Sequence, residues 1–453
     1  MTQCNQTQFG FAPHFSRQVV ASFEDRQIST EGGALLLRET DRKIGLLSRM
    51  TGCFTDHRHP ERIEHELGEL LAQRIYGLAL GYEDVNDHEE LRRDPLLALM
   101  AGKRSVEEPL AGKSTLNRLE LSPAGSPLED RYHKITYSTE ALDALLVNVF
   151  LEAHAKAPRQ IVLDLDVTDT ALHGEQEARF FHGYYNQYCY LPLYIFSGDH
   201  LLCARQRASN QDASAGSGEE VERIVKQVRQ RWPKVGIILR ADSGFCREEL
   251  MAWCEQHGVD YVFGLARNSR LQRKIRRAMR QAREEHQRTG KAARVFREFR
   301  HCTRNSWSRS RRVVAKAEYL AKGENPRFVV TSLSAKTWET SALYEKLYCA
   351  RGEMENRIKE QLSLFADRMS TETLRANQLR LYFSSLAYVL VHALRRLALA
   401  GTEWAQAQVS TIRLRLLKIA AEVRLSARRM WVRYSNAYPW KHIFTTAWVA
   451  LRC

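Results

Sequence analysis

The sequence lacks the features that would place it in an oxidising compartment or at a zinc site. Its nine cysteines are scattered and odd in number, and no two form a Cys-x-x-Cys pair. Neither a zinc ribbon nor a disulfide framework is therefore predicted. The first 20 residues lack the basic start and the continuous apolar stretch of a signal peptide. We expect reduced thiols in a cytoplasmic protein.

Long apolar runs and repeats are missing as well. The most apolar stretch, 386–399, contains His392, Arg395 and Arg396, so no membrane span and no membrane partner are predicted. No repeat at solenoid periods and no low-complexity tract is visible. With 453 residues, 44% of them hydrophobic, the chain is long enough for two or three domains with cores of their own.

Positive charge is plentiful, and it is concentrated in one segment. The chain carries 68 Lys and Arg against 53 Asp and Glu, a formal net charge of +15. The window 267–316 alone holds 18 basic and three acidic residues, which is also a net +15, so the other 403 residues are formally neutral. A localised excess of this size indicates a polyanionic partner, bound at this segment.

The order of predicted elements divides the chain into four parts. Apolar residues at helical spacing fill 1–130, and the short polar helix at 114–120 fits either a DNA reader or a helical cap on the next domain. Strands alternate with helices from 158 to 266, including one long Tyr-rich strand at 184–196, which is typical of an α/β layer. A basic helix and a β-ribbon follow within 267–326. Further helices are predicted from 341, with 401–453 as a helical C-terminal region.

Acidic residues lie in the strands of the α/β part. Asp164 and Asp166 alternate along the apolar stretch 161–167, so they share one face of a buried strand. Asp242 lies at the carboxyl end of the strand at 235–241, where sites assemble in α/β sheets. An isolated strand-end Asp is more often a helix cap. Buried carboxylates on the neighbouring strand, however, call for a cation or a salt bridge.

The chemistry of these acids indicates a hard metal ion. Oxygen ligands without His or Cys select Mg²⁺ or Mn²⁺. Two Mg²⁺ ions about 4 Å apart can activate a water or a 3′-hydroxyl and stabilise the departing oxygen in an in-line displacement at phosphorus. Such a site needs a third acid.

The helix predicted at 341–364 supplies a candidate for that acid. Tyr348, Arg351, Glu355 and Lys359 are separated by 3, 4 and 4 residues and share one helical face. Alone, this pattern describes a solvated face with a Glu–Lys pair. The helix, however, follows the basic segment and would return to the sheet that bears Asp166 and Asp242.

Together, these residues resemble bacterial insertion-sequence transposases of the DDE type. The resemblance rests on strand Asp166 with Thr168, on Asp242 within Arg-Ala-Asp-Ser-Gly, and on Glu355 within a Tyr-x2-Arg-x3-Glu spacing. It extends from about residue 10 to 400. It implies a ribonuclease-H-like mixed sheet flanked by helices at 158–266 and 327–400. An all-α DNA-binding region would precede this core, the basic insertion would interrupt it, and C-terminal helices would follow it.

The resemblance also implies roles for single residues. Asp166, Asp242 and Glu355 would be the catalytic ligands of two Mg²⁺ ions, for which Mn²⁺ can substitute, with Asp164 as an alternative first ligand. Tyr348 and Arg351 would contact DNA phosphates. The family places a Lys seven residues after the Glu, where this chain has Leu362, so Lys359 is the nearest substitute.

Within the basic ribbon, Trp307 is a candidate for stacking on a flipped base or for packing the ribbon onto the core. Its basic neighbours are candidates for binding DNA phosphates: Arg309, Arg311 and Arg312.

The implied function is transposition of an insertion sequence. The enzyme would bind terminal inverted repeats of double-stranded DNA, cut at the element ends and join the 3′-hydroxyl ends to target DNA, as a nucleoid-associated homodimer. Two alternatives remain: a structure-selective, metal-dependent nuclease of the same fold, and an inactive DNA-binding remnant that acts as a repressor.

Overall fold

A nine-stranded sheet forms the centre of the computed structural model, which describes residues 8–23, 27–123, 130–303 and 306–452. We number its strands in chain order: β1 Gln160–Val167, β2 Leu193–Ser197, β3 His200–Arg205, β4 Gly236–Ala241, β5 Asp260–Leu265, β6 Ala293–His301, β7 Arg311–Leu320, β8 Gly323–Glu324 and β9 Arg327–Thr331. Their spatial order is β3-β2-β1-β4-β5-β9-β7-β6, and β8 pairs with β7.

The first five strands form the expected mixed sheet. Strand β1 runs antiparallel to β2 and parallel to β4, and β4 runs parallel to β5. The chain reaches β4 and β5 through the helices Ser217–Arg231 and Glu248–Gln256, as the alternating pattern predicts. The predicted fold class of a mixed α/β sheet flanked by helices is confirmed.

The basic segment does not form a separate ribbon. Strand β9 pairs with β5, β7 pairs with β9, and β6 pairs with β7 through nine residue pairs, all antiparallel. The predicted β-ribbon therefore continues the central sheet at its edge. The helix Arg276–Thr289 buries Ala278, Met279 and Ala282, and its basic side chains remain outside because the apolar stripe takes only one face.

Alternation along the strands separates two packed faces. On one face, Leu163, Leu165 and Leu239 belong to a core shared with the helix Ser217–Arg231. On the other face, Val162 and Ile238 pack with the helical segment that begins at Thr340. Asp164 and Asp166 alternate with the leucines of β1 and lie on the same face as Val162. The acids of β1 therefore point toward this second helical layer.

The second layer and the N-terminal region share one core. The helix Leu374–Leu394 is buried along nearly its whole length and contacts Leu67–Leu80 and the strand β3. The other helices of eight or more residues are Leu35–Ile44, Lys113–Glu120, Thr139–Glu152, Gly352–Leu362 and Lys441–Arg452. Shorter helices are Leu46–Thr51, His88–Leu91, Pro95–Ala101, Ser269–Lys274 and Val409–Ile412.

The terminal regions contain strands as well as helices. The hairpin Gln8–His14 with Arg17–Ser22 precedes the helices, and Phe54–Asp56 pairs with Ile135–Tyr137. Near the C-terminus, Ala421–Ser426 pairs with Arg429–Tyr434 and with Gln27–Ser29. The expectations of an all-α N-terminal region and a helical C-terminal region are corrected, since short strands from both ends form one three-stranded sheet.

The short helix Lys113–Glu120 is a packed element of this core. Leu116 and Leu119 are fully buried, and the buried carboxylate of Glu120 accepts hydrogen bonds from Arg74 at 2.6 Å and from Arg380 at 2.8 Å. Of the two interpretations of this helix, the packing favours the helical cap, because Arg380 belongs to the long helix Leu374–Leu394.

The predicted Tyr-rich strand at 184–196 is two strands in different sheets. Gln187–Tyr190 pairs with Phe180–His182 and with Thr170–Ala171, whereas Leu193–Ser197 is β2 of the central sheet. Pro192 lies between them and has no N–H to donate to a strand ladder. The single predicted strand is therefore wrong.

Within the described residues, the helices are all too short or too polar to cross a lipid bilayer. The seven described cysteines are free thiols, as expected.

Candidate active site

The carboxylates of Asp166 and Asp242 are held near the ends of the neighbouring parallel strands β1 and β4. Asp166 accepts a hydrogen bond from the backbone N–H of Val167 at 3.0 Å. Asp242 directly follows β4 and accepts from the N–H of Gly244 at 2.8 Å, which caps the turn Ser243–Phe245. In each carboxylate, one oxygen thus accepts a hydrogen bond from a nearby backbone N–H, and the second oxygen is left for another partner.

Glu355 lies on the helical layer above these strands. The chain is helical from Thr340 to Leu362 through Thr340–Ala342, Leu343–Tyr348, Cys349–Arg351 and Gly352–Leu362. Leu343, Tyr344 and Leu347 pack onto the sheet. Because these apolar side chains face the sheet, Glu355 and Lys359 lie on the exposed side of the same helical segment.

Arg351 joins the helix to β1. Its Nη1 lies 3.0 Å from Oδ2 of Asp166. The pKa of Arg351 is raised above its usual value by Asp166 first and then by Tyr348, Asp242 and Glu355, against the effect of burial. This guanidinium thus contacts Asp166 directly and is influenced by the charges of Asp242 and Glu355.

The pKa of Asp166 reflects burial and the charges around it. It is raised to about 6, mainly by burial and to a smaller extent by the charges of Asp242 and Glu355, while Arg351 and the N–H of Val167 lower it. The charges of Asp242 and Glu355 therefore act on Asp166, and three separate parts of the chain contribute negative charge to one acidic space beside Arg351.

Tyr348 closes one side of this space. A Cβ atom on Gly264 would lie 2.6 Å from the Tyr348 hydroxyl and 2.9 Å from the backbone nitrogen of Ser243. The absence of a side chain at Gly264 therefore lets the tyrosine reach the turn beside Asp242. Sequence reasoning missed Gly264, although its place near the end of β5, next to β4, was a usable signal.

Asp164 has a different environment from Asp166. Its two carboxylate oxygens accept hydrogen bonds from Nε and Nη2 of Arg240 at 2.5 and 2.7 Å, and both side chains are buried. Arg240 also donates from Nη1 to the carbonyl of Leu347 at 2.6 Å. Asp164 is thus neutralised by an internal salt bridge that ties β1 and β4 to the Glu355-bearing helical segment.

A family model matches residues 11–453 of the chain, and its description is transposase DDE domain group 1. The chain belongs to this family. It is therefore an enzyme of DNA transposition, a transposase. Enzymes of this family use divalent metal ions.

A similar chain is also found among the solved structures. A cryo-EM structure of piggyBac transposase, in a synaptic complex with hairpin DNA, is similar to the chain with a TM-score of 0.42 and 10% sequence identity. The similarity covers 86% of this chain and 81% of that chain. Among curated proteins, none gives a significant sequence match.

The acids of the transposase fit a divalent cation by their chemistry. In the part of the chain that the structure describes, no three Asp, Glu, His or Cys side chains are close enough to hold a metal ion as they stand. Arg351 lies against Asp166 and compensates part of the charge. Three carboxylates with one guanidinium still leave an excess of negative charge on oxygen donors, which is the donor set that Mg²⁺ prefers.

The ribbon residues of the transposase are less available to DNA than the sequence suggests. Arg311 is 3% exposed and paired with Glu248 and Glu255, while Arg312 is 8% exposed and paired with Glu298. The expectation that Arg311 and Arg312 bind phosphates is corrected, because both lie in β7, inside the sheet.

Trp307 is also not an exposed ring. It is 9% exposed, its ring centroid lies 5.7 Å from that of His301, and the guanidinium of Arg311 lies 5.5 Å from its centroid. The base-stacking role is corrected in favour of packing onto the core. Arg309 remains exposed, 3.5 Å from Glu255, and stays a candidate for DNA contact.

The exposed cations of this segment lie mainly on the basic helix Arg276–Thr289 and on the short helix Ser269–Lys274 before it. Four arginines follow each other along one side of a groove: Arg273, Arg276, Arg280 and Arg283. All four side chains are exposed. Since they recur at three- and four-residue spacing, they form one row of positive charge along the helix, suited to a phosphate backbone.

Replacing Arg276, Arg280 and Arg283 with Gln is expected to weaken duplex binding and its salt dependence. The slope of log K against log salt should become shallower by about 0.9 for each phosphate that is no longer neutralised, or roughly 2–3 in total. Gel shifts at several salt concentrations measure this slope. The triple variant Arg424→Gln/Arg428→Gln/Arg429→Gln, on the C-terminal hairpin, serves as a control of equal charge loss and should leave the slope unchanged.

These substitutions test the segment better than a deletion of 270–316. Such a deletion removes β6 and more than half of β7 from the central sheet, so it would unfold the edge of the core as well as remove charge.

Proposed function

We propose that the transposase binds the terminal inverted repeats of an insertion sequence, hydrolyses the phosphodiester bonds at the element ends and joins the freed 3′-hydroxyl ends to target DNA. The observation that supports this proposal is the 3.0 Å contact of Arg351 with Asp166, since the charges of Asp166, Asp242 and Glu355 all act on this arginine. Binding of duplex DNA through the exposed row of arginines would complete the site.

Asp166, Asp242 and Glu355 would hold two Mg²⁺ ions, which Mn²⁺ can replace. Bound there, the ions would supply charge stabilisation to the attacking and departing oxygens of an in-line displacement at phosphorus. Asp166 is a better first ligand than Asp164, because Arg240 takes both oxygens of Asp164. Arg351 and Tyr348 would contact the phosphate.

Lys359 would approach the same DNA strand one turn beyond Glu355. Its side chain is exposed on the same helix, so it can reach a phosphate beside the bond that is cut. We also propose that two copies of the chain act together, because two element ends must be cut in one complex.

Cleavage of end-specific DNA tests the proposed function. With Mg²⁺, the transposase should cut duplexes that carry the inverted repeats flanking its gene and should join their 3′ ends to a second duplex. A scrambled duplex of equal length should stay intact. Equal cleavage of both duplexes without joining would support the structure-selective nuclease instead.

A substitution separates the enzyme from an inactive DNA-binding remnant. Asp242→Asn should eliminate cleavage and joining while a gel shift with the same duplex persists, since the arginine row is untouched. If the unmodified chain binds the repeats but neither cuts nor joins them under any divalent metal, the repressor function is supported and the proposal fails.

A further inference from the structure

A small hairpin beside the acids carries a cluster of exposed aromatic rings. Phe180–His182 and Gln187–Tyr190 pair antiparallel across a four-residue turn. We call residues 180–190 the aromatic hairpin. Four of its rings are exposed: Phe180 by 41%, Phe181 by 53%, Tyr184 by 86% and Tyr188 by 45%. Apolar side chains grouped in this way on a surface indicate a binding partner.

Two of the exposed rings, Phe181 and Tyr188, are held in place by neighbouring side chains. Asn186 adopts a positive φ of 53° in the turn, and its N–H donates to the carbonyl of His182 at 2.8 Å. The rings of Phe181 and Tyr188 lie edge to face with centroids 5.5 Å apart, and the guanidinium of Arg179 lies 4.2 Å from the Tyr188 centroid. A preorganised ring loses little conformational freedom when it binds a flat ligand.

The aromatic hairpin lies at the edge of the acidic space. Strand β1 ends one residue after Asp166, and Asp169 accepts a hydrogen bond from the side chain of Gln187 on the hairpin. Tyr185 lies near enough to Asp169 and Asp166 that their charges add to the effect of burial, which together raise its pKa to about 12. The exposed ring of Tyr184 lies 5.0 Å from the Tyr185 ring, so the aromatic hairpin carries an exposed ring next to this part of the acidic space.

We propose that the aromatic hairpin is a stacking surface for unpaired bases of the DNA strand that enters the site at Asp166. This inference rests on the proposed function. Every base has a flat π face that stacks on Tyr or Phe regardless of sequence, and only an unpaired base can turn that face toward a protein surface.

The position of the hairpin favours DNA over a protein partner. A DNA strand bound at Asp166 would lie beside the hairpin, because Gln187 is hydrogen-bonded to Asp169, three residues after Asp166. Trp307, the aromatic residue that the sequence places among cations, is buried and cannot stack. Tyr184, exposed by 86% in the turn, makes the largest contribution to the proposed surface.

Fluorescence anisotropy with two labelled probes tests the inference. One probe is a blunt duplex, and the other is the same duplex with four unpaired nucleotides at one end. Tyr184→Ala should raise the Kd for the unpaired probe about tenfold and leave the Kd for the blunt probe unchanged. Tyr184→Phe keeps the ring and should behave like the unmodified chain. Phe15→Ala removes a ring that is 90% exposed elsewhere and should change neither Kd.

A second readout separates stacking from a structural effect. A 2-aminopurine base in the unpaired end should lose fluorescence when the unmodified chain or Tyr184→Phe binds, and should lose much less with Tyr184→Ala at saturation. Equal Kd values for Tyr184→Ala and the unmodified chain would overturn the proposal. So would equal losses for both probes, or a change in self-association by sedimentation with no change in DNA binding.

Failure of this inference and failure of the proposed function are distinguishable. If Asp242→Asn still cleaves and joins DNA while Tyr184→Ala loses the unpaired probe, the carboxylate mechanism fails and the stacking surface stands. If Asp242→Asn is inactive and Tyr184→Ala binds both probes normally, the mechanism stands and the stacking surface is refuted.

Discussion

A transposase carrying Asp166→Asn is expected to bind duplex DNA normally and to cleave it about 10³-fold more slowly or not at all. Asn has the shape of Asp and can still accept from the N–H of Val167, but it has no negative charge with which to hold a cation. A time course of cleavage with Mg²⁺, beside a gel shift, measures both effects. Asp260→Asn, at the start of β5 and thus at the opposite end of the parallel strands, is the matched control and should cleave normally.

The same substitution is expected to stabilise the protein while it removes activity. The pKa of Asp166 is about 6 in the folded protein against 3.8 ordinarily, so its contribution to stability is full below pH 3.8 and is lost as pH rises through 6. At pH 8 without metal, Asp166→Asn should unfold with a free energy up to about 3 kcal/mol higher than the unmodified chain. The difference should vanish near pH 4. A less stable Asp166→Asn at pH 8 would contradict the placement of Asp166 in a buried site near other acids.

Arg240→Met is expected to cause the largest loss of stability, about 3–5 kcal/mol in the free energy of unfolding. The substitution leaves the buried carboxylate of Asp164 without a cation and the carbonyl of Leu347 without its donor. Urea denaturation measures the change. Because Arg240 links β4 to the helical segment that bears Glu355, cleavage should also decline.

Two further variants test whether the loss of stability comes from the buried pair of Arg240 with Asp164. Arg247→Met removes a pair with Asp212 in which both side chains are exposed by 43% and 50%, and it should cost less than about 1 kcal/mol. Asp164→Leu/Arg240→Met removes both charges and should recover much of the lost stability. A loss below 1 kcal/mol for Arg240→Met alone would mean that Asp164 is not held by this pair.

The strand alternation made the central sheet and its acids predictable. Apolar residues at every second position placed Asp164 and Asp166 on one face of β1, and the end of β4 placed Asp242 beside them. The helical spacing of Tyr348, Arg351 and Glu355 predicted a shared face. What the sequence left open was the choice between Asp164 and Asp166, which depends on the pairing of Arg240 with Asp164 across parallel strands. Arg240 and Asp242 are two positions apart. The register of β4 against β1 would therefore have been enough to predict the pair between Arg240 and Asp164.

The basic segment shows why exposure is harder to predict than secondary structure. Its strands were expected, but a ribbon outside the core and a strand inside a sheet have similar local patterns. Pairing of β9 with β5 decides between them, and this contact joins residues far apart in sequence. Arg311 and Arg312 are therefore buried and paired with Glu248, Glu255 and Glu298. The arginines of the helix Arg276–Thr289 are exposed because its buried face is formed by Ala278, Met279 and Ala282.

Comparison of Glu355→Gln with Glu353→Gln tests the central claim most directly. Both residues are exposed on the same helix. Since they are two positions apart, the two substitutions remove equal charge from opposite sides of that helix. End-specific cleavage with Mg²⁺ is measured for both variants, with a gel shift to confirm DNA binding. If Asp166, Asp242 and Glu355 form one catalytic site, Glu355→Gln binds without cutting and Glu353→Gln cuts at the normal rate. Normal cleavage by Glu355→Gln, or equal loss in both variants, would contradict it.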